Sequence, residues 1–180
     1  LNDTKGNDNN VPEADMVERI RLLNLLGYTV MVSDYTRYFS LRAYFRQYTK
    51  LQIGIVVGMI NLKQIFDEDF YRGVEGGILE VFGKLFSDNT CLFVYPELDA
   101  DGEISNFDDI RVPEHLRFLY CHLVENKFIS GIDCGHKDLL TIYSRNILKQ
   151  LPKGRGDWEI YLPAGAADEI VNHKLFGFKD

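Results

Sequence analysis

Polar side chains that follow apolar runs are the first candidates for chemistry in this sequence. Asp34 and Arg37 follow the apolar run 29–33, and Asn61 follows the run 52–58. A carboxylate accepts a hydrogen bond from a hydroxyl group, and a guanidinium holds a phosphate or carboxylate through two parallel bonds. A helix that begins at Asn61 would add free backbone N–H groups. The three residues predict a small-molecule site, and the alternative is that Asp34 and Asn61 cap helices while Arg37 forms a surface ion pair.

The acidic segment PELDADGEISNFDD, residues 96–109, has the spacing of a calcium-binding loop. The residues at the ligand positions are Glu97, Asp99, Asp101 and Asp108, with Gly102 at the turn. Glu replaces the usual Asp at the first position, and Asp replaces the bidentate Glu at the last. The segment also follows an apolar strand and a proline, where a calcium loop follows a helix. We therefore interpret it as a solvated acidic turn, and calcium binding is the alternative.

Motifs for catalysis are missing from the sequence. It has no dinucleotide or P-loop glycine pattern and no G-x-S-x-G nucleophile turn. Cys121 and His122 are neighbours on a predicted helix, where adjacent side chains point about 100° apart. Cys121, Cys134 and His136 have no spacing of a common zinc site. We predict no catalytic residue, no cofactor and no metal, and we expect Cys91 and Cys121 to be buried thiols.

Alternating elements must position these residues. Apolar runs at 29–33, 52–58 and 90–95 predict buried strands, and amphipathic helices separate them. The alternation predicts an α/β fold, a small three-layer Rossmann-like parallel sheet of three to four strands, with a helical C-terminal half. Ligands collect beyond the carboxyl ends of such strands, which is where Asp34, Arg37 and Asn61 fall. We expect residues 13–180 to form a single domain after a flexible arm, residues 1–12.

The helix predicted over residues 36–49 contains more aromatic side chains than one apolar face needs. Tyr38 and Tyr48 belong to the apolar face of this amphipathic helix, and Tyr44 adds to the aromatic excess. We predict that at least two of the six aromatic rings in residues 35–48 are exposed, and that Tyr38, Tyr44 and Tyr48 contact a partner. The alternative is that all of these rings belong to the core.

Charge and hydropathy exclude two classes of partner. The formal net charge is −7 and the pI is about 5.1, so the chain lacks the basic surface that nucleic acids require. No apolar run reaches the ~18 residues of a membrane-spanning helix. The sequence begins with Leu1, which suggests a processed product. We expect a cytoplasmic protein or one in an organelle interior, such as the mitochondrial matrix.

Several segments resemble one bacterial family along most of the chain. They are VMVSDYTRYFSLRAYFRQYT, IGIVVGMINLKQIFDEDFY, GGILEVFGKLFSDNTCLFVYP, VPEHLRFLYCHLVEN and GDWEIYLP. The family carries the label nicotinate or nicotinamide mononucleotide adenylyltransferase, and some members carry the label TonB-dependent receptor. The likeness is to the C-terminal region of these longer proteins. It implies a nucleotide-binding domain of NAD biosynthesis, but the paired histidines of such enzymes have no counterpart here, so no residue role is transferred.

Two hypotheses for the function follow. The first is a non-catalytic α/β module that acts as a structural or docking part of a larger protein or assembly, with other subunits or the rest of a longer chain as partners. The alternative is a nucleotide-binding enzyme domain, similar to mononucleotide adenylyltransferases, whose catalytic motif lies outside this chain.

Overall fold

The chain divides into two compact units. A computed structural model describes residues 13–154 and 156–179 of the 180-residue chain. One unit, here called the sheet unit, is Tyr35–Thr141, and the other, here called the terminal unit, combines the described residues of Leu1–Asp34 and Ile142–Asp180. The arm expected over residues 1–12 lies outside the described residues. The single domain expected over residues 13–180 stays a prediction.

Seven α-helices, five strands and seven 3-10 turns make up the described residues. The α-helices are α1 (Glu13–Leu25), α2 (Tyr38–Arg46), α3 (Met59–Ile65), α4 (Gly77–Leu85), α5 (Arg117–Glu125), α6 (Ser144–Leu148) and α7 (Ala166–His173). The strands are β1 (Ile53–Gly58), β2 (Thr90–Tyr95), β3 (Glu97–Leu98), β4 (Ile104–Ser105) and β5 (Ile129–Gly131). The 3-10 turns are Glu68–Tyr71, Phe107–Asp109, Glu114–Leu116, Lys137–Thr141, Leu151–Lys153, Asp157–Tyr161 and Leu175–Gly177.

A three-stranded parallel sheet forms the centre of the sheet unit. Its order is β1-β2-β5, so β2 is paired on both sides. Val57 of β1 is in register with Val94 of β2, and Leu92 of β2 with Ile129 of β5. These apolar residues are all buried, as the near-continuous apolar runs of parallel strands require. The mixed α/β fold with a small Rossmann-like parallel sheet is confirmed.

The helices of the sheet unit bury their apolar side chains in the same core as these strands. Leu62 and Ile65 of α3, Phe82 and Leu85 of α4 and Leu123 of α5 are buried there. Phe66, just after α3, lies edge-to-face against Phe82 and Tyr120, with ring centroids 5.0 and 5.1 Å away. Such aromatic contacts add to the stabilisation by area burial. They fix α3, α4 and α5 against the sheet.

The terminal unit has its own core around the single tryptophan. Trp158 is 1% exposed, and its indole N–H donates to the carbonyl of Gly154 at 2.9 Å. Ile170 of α7 and Leu175 pack in the same cluster. Glu18 of α1 accepts a hydrogen bond from the backbone N–H of Phe176 at 2.7 Å. The N-terminal helix is therefore joined to the C-terminal part of the chain.

One predicted strand is missing from the structure, and one strand of the sheet was not predicted. The run 29–33 forms no strand, and its residues are exposed or half-buried, with Val32 59% exposed. The third strand of the sheet is β5 instead. Its pairing with β2 extends past both ends of β5, because Leu92 N–H donates to the carbonyl of Phe128 and Ile132 N–H donates to the carbonyl of Val94. The apolar run 29–33 is short, and the composition of a short run does not determine whether it pairs with a strand of the sheet.

Helix boundaries also correct one prediction at the candidate site. α3 begins at Met59 with Gly58 as its N-cap, so Asn61 is the third residue of the helix. The N-cap of α2 is Arg37, without a side-chain cap bond. The capping roles of Asn61 and Asp34 are therefore wrong. Among the described residues, no helix combines the length and the apolar character needed to cross a membrane.

Candidate docking surface on helix α2

The three residues of the predicted small-molecule site belong to different elements of the chain. Asp34 is exposed at the end of the terminal unit's first segment. Arg37 is half-buried, and its charge acts on Tyr71, whose pKa is raised mainly by burial and is lowered in part by Arg37. Asn61 lies inside α3. Within the described part of the chain, no hydrogen bond or ion pair joins Arg37 to Asn61, so their shared role stays a prediction.

The acidic segment folds as a small antiparallel hairpin. β3 and β4 pair through Glu97 with Ser105 and Leu98 with Ile104. The Asp99 carboxylate accepts hydrogen bonds from the backbone N–H groups of Asp101 and Glu103, at 2.9 and 2.8 Å. Gly102 has a φ of 77°, a conformation that glycine adopts without strain. These bonds close the tight turn between the strands.

The ligand candidates of this hairpin point to different partners. Glu97 forms an ion pair with Lys63 of α3 at 3.0 Å. Asp108 lies in the next 3-10 turn, where its backbone N–H donates to the side chain of Asn106. In residues 13–154 and 156–179, no group of three His, Cys, Asp or Glu side chains is arranged to hold a metal ion. Asp99, Asp101 and Asp108 are exposed, and the interpretation of the segment as a solvated acidic turn stays a prediction.

The cysteines differ from the prediction at one position. Cys91 is buried in β2, and burial raises the pKa of its thiol while a bond from Gln52 lowers it. Cys121 is exposed on α5, so its predicted burial is wrong. The apolar face of α5 is formed by Tyr120 and Leu123, which leaves position 121 on the solvent side.

Exposed aromatic rings cover part of α2 and the residues beside it. Tyr48 is 71% exposed, Tyr35 is 40% exposed and Phe45 is 38% exposed. The rings adjoin one another through Tyr44, whose centroid lies 5.8 Å from that of Tyr35, 5.7 Å from Phe45 and 5.1 Å from Tyr48. A hydrogen bond with Tyr48 raises the pKa of Tyr44. We call Tyr35, Tyr44, Phe45 and Tyr48 the tyrosine surface.

Tyr38, the first residue of the same helix, does not belong to the tyrosine surface. It is half-buried and packs against the core of the sheet unit, and burial raises the pKa of its hydroxyl group. The prediction that at least two of the six aromatic rings are exposed is confirmed. The contact of Tyr38, Tyr44 and Tyr48 with a partner stays a prediction.

Two arginines of α2 hold this helix against the start of β2. Arg42 is buried, which is unusual for an arginine. Its Nη2 donates to the carbonyl of Ser87 at 2.9 Å and to the carboxylate of Asp88 at 2.5 Å. Arg46, one turn later, donates to the carbonyls of Thr49 and Leu51, at 3.1 and 2.8 Å. α2 is thus rigidly placed, which lowers the entropic cost of presenting its aromatic rings.

A cleft lies beside the tyrosine surface, between α2 and α4. It has a volume of about 530 Å³. Its lining comprises Tyr35, Phe39, Ser40, Arg42, Ala43, Tyr44, Gln47 and Lys84. The sequence pattern did not predict this cleft. The available signal was the pair of small residues, Ser40 and Ala43, three positions apart on an otherwise bulky helix.

Comparisons with known proteins add no family to these observations. No family model, no curated protein and no solved structure matches the chain.

Proposed function

We propose that this chain is a non-catalytic α/β module that docks onto another protein through the tyrosine surface. The observation that carries the proposal is the set of adjoining exposed rings at Tyr35, Phe45 and Tyr48. Tyrosine and phenylalanine are enriched in protein interfaces because they supply a large contact area at a low entropic cost. A surface of this kind gains free energy when a partner removes it from water.

The arginine contacts support the proposal because they hold α2 in place. Arg42 and Arg46 bind groups at the end of α4, at the start of β1 and at the start of β2. Because the helix is held by these bonds, the exposed rings are not needed to keep α2 in place. The exposed rings are then free to contact a partner.

The test compares two exposed aromatic residues of the same unit. Tyr48→Ala removes a ring of the tyrosine surface, and Phe118→Ala removes a ring that is 74% exposed on α5, away from α2. Each full chain is purified from its source cells with its associated proteins, which are quantified by mass spectrometry. We expect one protein to be lost with Tyr48→Ala and retained with Phe118→Ala. Equal retention by both variants would contradict the proposal.

The alternative of a nucleotide-binding enzyme domain is separated by a second measurement. Thermal unfolding is followed in buffer, and with nicotinamide mononucleotide, nicotinate mononucleotide or ATP. A ligand at 100 times its Kd raises the free energy of unfolding by about 2.7 kcal/mol. A saturable rise that Arg37→Ala and Asn61→Ala remove would favour the enzyme domain. No rise with any of the three ligands is the result that the docking proposal expects.

A further inference from the structure

The cleft between α2 and α4 has space for an aromatic side chain of a partner and is itself partly lined by aromatic rings. Its volume of about 530 Å³ lies within the ~300–1,000 Å³ that is typical of ligand pockets. Ser40 and Ala43 are small and one turn apart, which leaves space on this side of α2. The rings of Tyr35 and Tyr44, 5.8 Å apart, also line the cleft and offer their faces and edges to a further ring.

The surroundings of the cleft are positively charged in a chain that is acidic as a whole. Residues 35–50 contain Arg37, Arg42, Arg46 and Lys50 and no Asp or Glu, whereas the whole chain has a net charge of −7. Lys84 lines the cleft from α4, with 56% of its side chain exposed.

Two acidic groups offset part of this charge. Asp88 pairs with Arg42, and Glu80 pairs with Lys84. Arg46 donates its hydrogen bonds mainly to carbonyl groups, which leave its positive charge in place. Both cations that line the cleft are thus ion-paired, and the positive excess that favours an acidic partner comes from Arg37, Arg46 and Lys50 of the same segment.

We infer that this cleft is the anchor pocket of the docking surface and that it receives an aromatic side chain from an acidic segment of another protein. The inference rests on the proposed function and specifies the chemistry of the partner. Anchors of protein interfaces are commonly Trp, Tyr or Arg, each in a desolvated pocket. An arginine anchor would add a further cation to residues 35–50, which contain no Asp or Glu. An aromatic anchor can instead pack against the rings of Tyr35 and Tyr44 in the lining.

A second copy of this chain fits the cleft less well. Its most acidic segment is the hairpin of residues 97–109, whose aromatic residue is Phe107. Phe107 is half-buried and packs against the core, and its ring atoms lie only 2.7 Å from the position that a Cβ on Gly131 would occupy. The hairpin therefore has no free ring to offer.

Labelled peptides test this chemistry on the full chain. The probe is a fluorescein-labelled pentapeptide in which two acidic residues lie on each side of a tryptophan. One control replaces the tryptophan with alanine, and the other replaces the acidic residues with lysine. We expect saturable binding of the acidic tryptophan peptide by fluorescence anisotropy, and at least tenfold weaker binding of both controls. No saturation at a peptide concentration of about 1 mM, where the corresponding binding free energy is only about −4 kcal/mol, would overturn the inference.

Variants locate the binding to the cleft. Ala43→Trp fills the cleft from an exposed position, and we expect it to abolish peptide binding. Lys84→Glu reverses a lining charge, and we expect about three- to tenfold weaker binding that converges with wild type at high salt. Lys63→Glu is the matched control, because Lys63 is also ion-paired and its side chain is 53% exposed. Equal effects of Lys84→Glu and Lys63→Glu would contradict the assignment, and thermal unfolding confirms that each variant is folded.

The outcomes separate this inference from the proposed function. If the acidic tryptophan peptide does not bind but Tyr48→Ala still loses a partner protein, the tyrosine surface docks without the acidic aromatic anchor, and the inference is wrong. If Tyr48→Ala retains every associated protein, the proposed function itself is wrong. Peptide binding that Ala43→Trp abolishes, together with loss of the partner by Tyr48→Ala, supports both.

Discussion

Arg42 of α2 donates through Nε to the hydroxyl group of Thr90, the first residue of β2, at 3.4 Å, and both residues are buried. Arg46 donates to the same hydroxyl oxygen at 3.3 Å. One threonine therefore accepts from two arginines that lie one helical turn apart. This arrangement joins the helix that bears the tyrosine surface to the central strand of the sheet.

Thr90→Val tests this connection. The valine has nearly the same shape but cannot accept a hydrogen bond, so two guanidinium groups lose an acceptor. We expect the free energy of unfolding to fall by about 1–3 kcal/mol, measured by urea denaturation. Thr141→Val is the control, because Thr141 is exposed and its hydroxyl bonds only to a local carbonyl, and its effect is expected to stay within about 0.5 kcal/mol. A cost at Thr90 no greater than at Thr141 would show that the arrangement contributes little.

The Arg42–Asp88 pair predicts a specific pH dependence. The hydrogen bond from Arg42 is the largest cause that lowers the pKa of Asp88 in the folded protein. A lowered folded-state pKa stabilises the protein above the unfolded-state value of about 3.9, and this stabilisation is lost as the pH falls through the lower folded-state value. Wild type is therefore expected to be more stable than Asp88→Asn at neutral pH, with a difference that shrinks in the acid range below about pH 4.

Urea midpoints measured between neutral and acid pH check this expectation. The control repeats the comparison in an Arg42→Met background, where Asp88 no longer has its guanidinium partner. There the pH dependence of the Asp88→Asn difference should be clearly smaller, because only the weaker effects of Arg46 and Lys50 still lower the pKa of Asp88. A pH-dependent difference of the same size in both backgrounds would assign the effect to a group other than the Arg42–Asp88 pair.

Two glycines predict opposite effects of the same substitution. A Cβ on Gly54 of β1 would lie 2.7 Å from the ring of Phe93 on β2, so Gly54→Ala is expected to cost about 1–3 kcal/mol through overpacking. A Cβ on Gly83 of α4 would meet no atom within 4 Å, and Gly83→Ala is expected to stabilise by about 0.5–1 kcal/mol because alanine favours a helix. Urea denaturation measures both. Equal signs for the two variants would disprove this description of β1 and α4.

Calcium should not bind the acidic hairpin. Asp99 is occupied by the backbone N–H groups of its own turn, and Glu97 is paired with Lys63. Isothermal titration calorimetry with calcium is expected to show no binding with a Kd below ~1 mM, which is the weak end for calcium loops. Binding tighter than this that Asp99→Asn removes would show that the hairpin is a metal site.

The parts of the fold that follow from long apolar runs were predictable. The runs 52–58 and 90–95 became β1 and β2, and β2, which is paired on both sides, is buried along most of its length as its apolar run predicts. β1 lies at the edge of the sheet with Gly54 and Val56 exposed, which corrects the prediction that the whole run 52–58 is buried. The strand β5 was not predictable, because its three residues carry no period and its pairing depends on β2. The run 29–33 has the composition of a strand but forms none, because a strand also needs a neighbouring strand to pair with, which composition does not determine.

The candidate surface was predictable only in part. An excess of aromatic residues over one helical face predicts exposed rings, and Tyr35, Phe45 and Tyr48 are exposed. The burial of Arg42 was not predictable, because its partners Asp88 and Thr90 lie 46 and 48 positions away in sequence. The cleft beside Lys84 depends on the packing of α2 against α4, and the local sequence of either helix does not predict that packing.

Site-specific photo-crosslinking tests the central proposal most directly. Benzoylphenylalanine is placed at position 48 of the tyrosine surface in one chain and at position 118 of α5 in another, and both are irradiated in their source cells. The docking proposal predicts that position 48 crosslinks to one defined protein, with the crosslinked peptide identified by mass spectrometry, and that position 118 does not. Crosslinks to the same proteins from both positions, or none from position 48, would contradict the proposal.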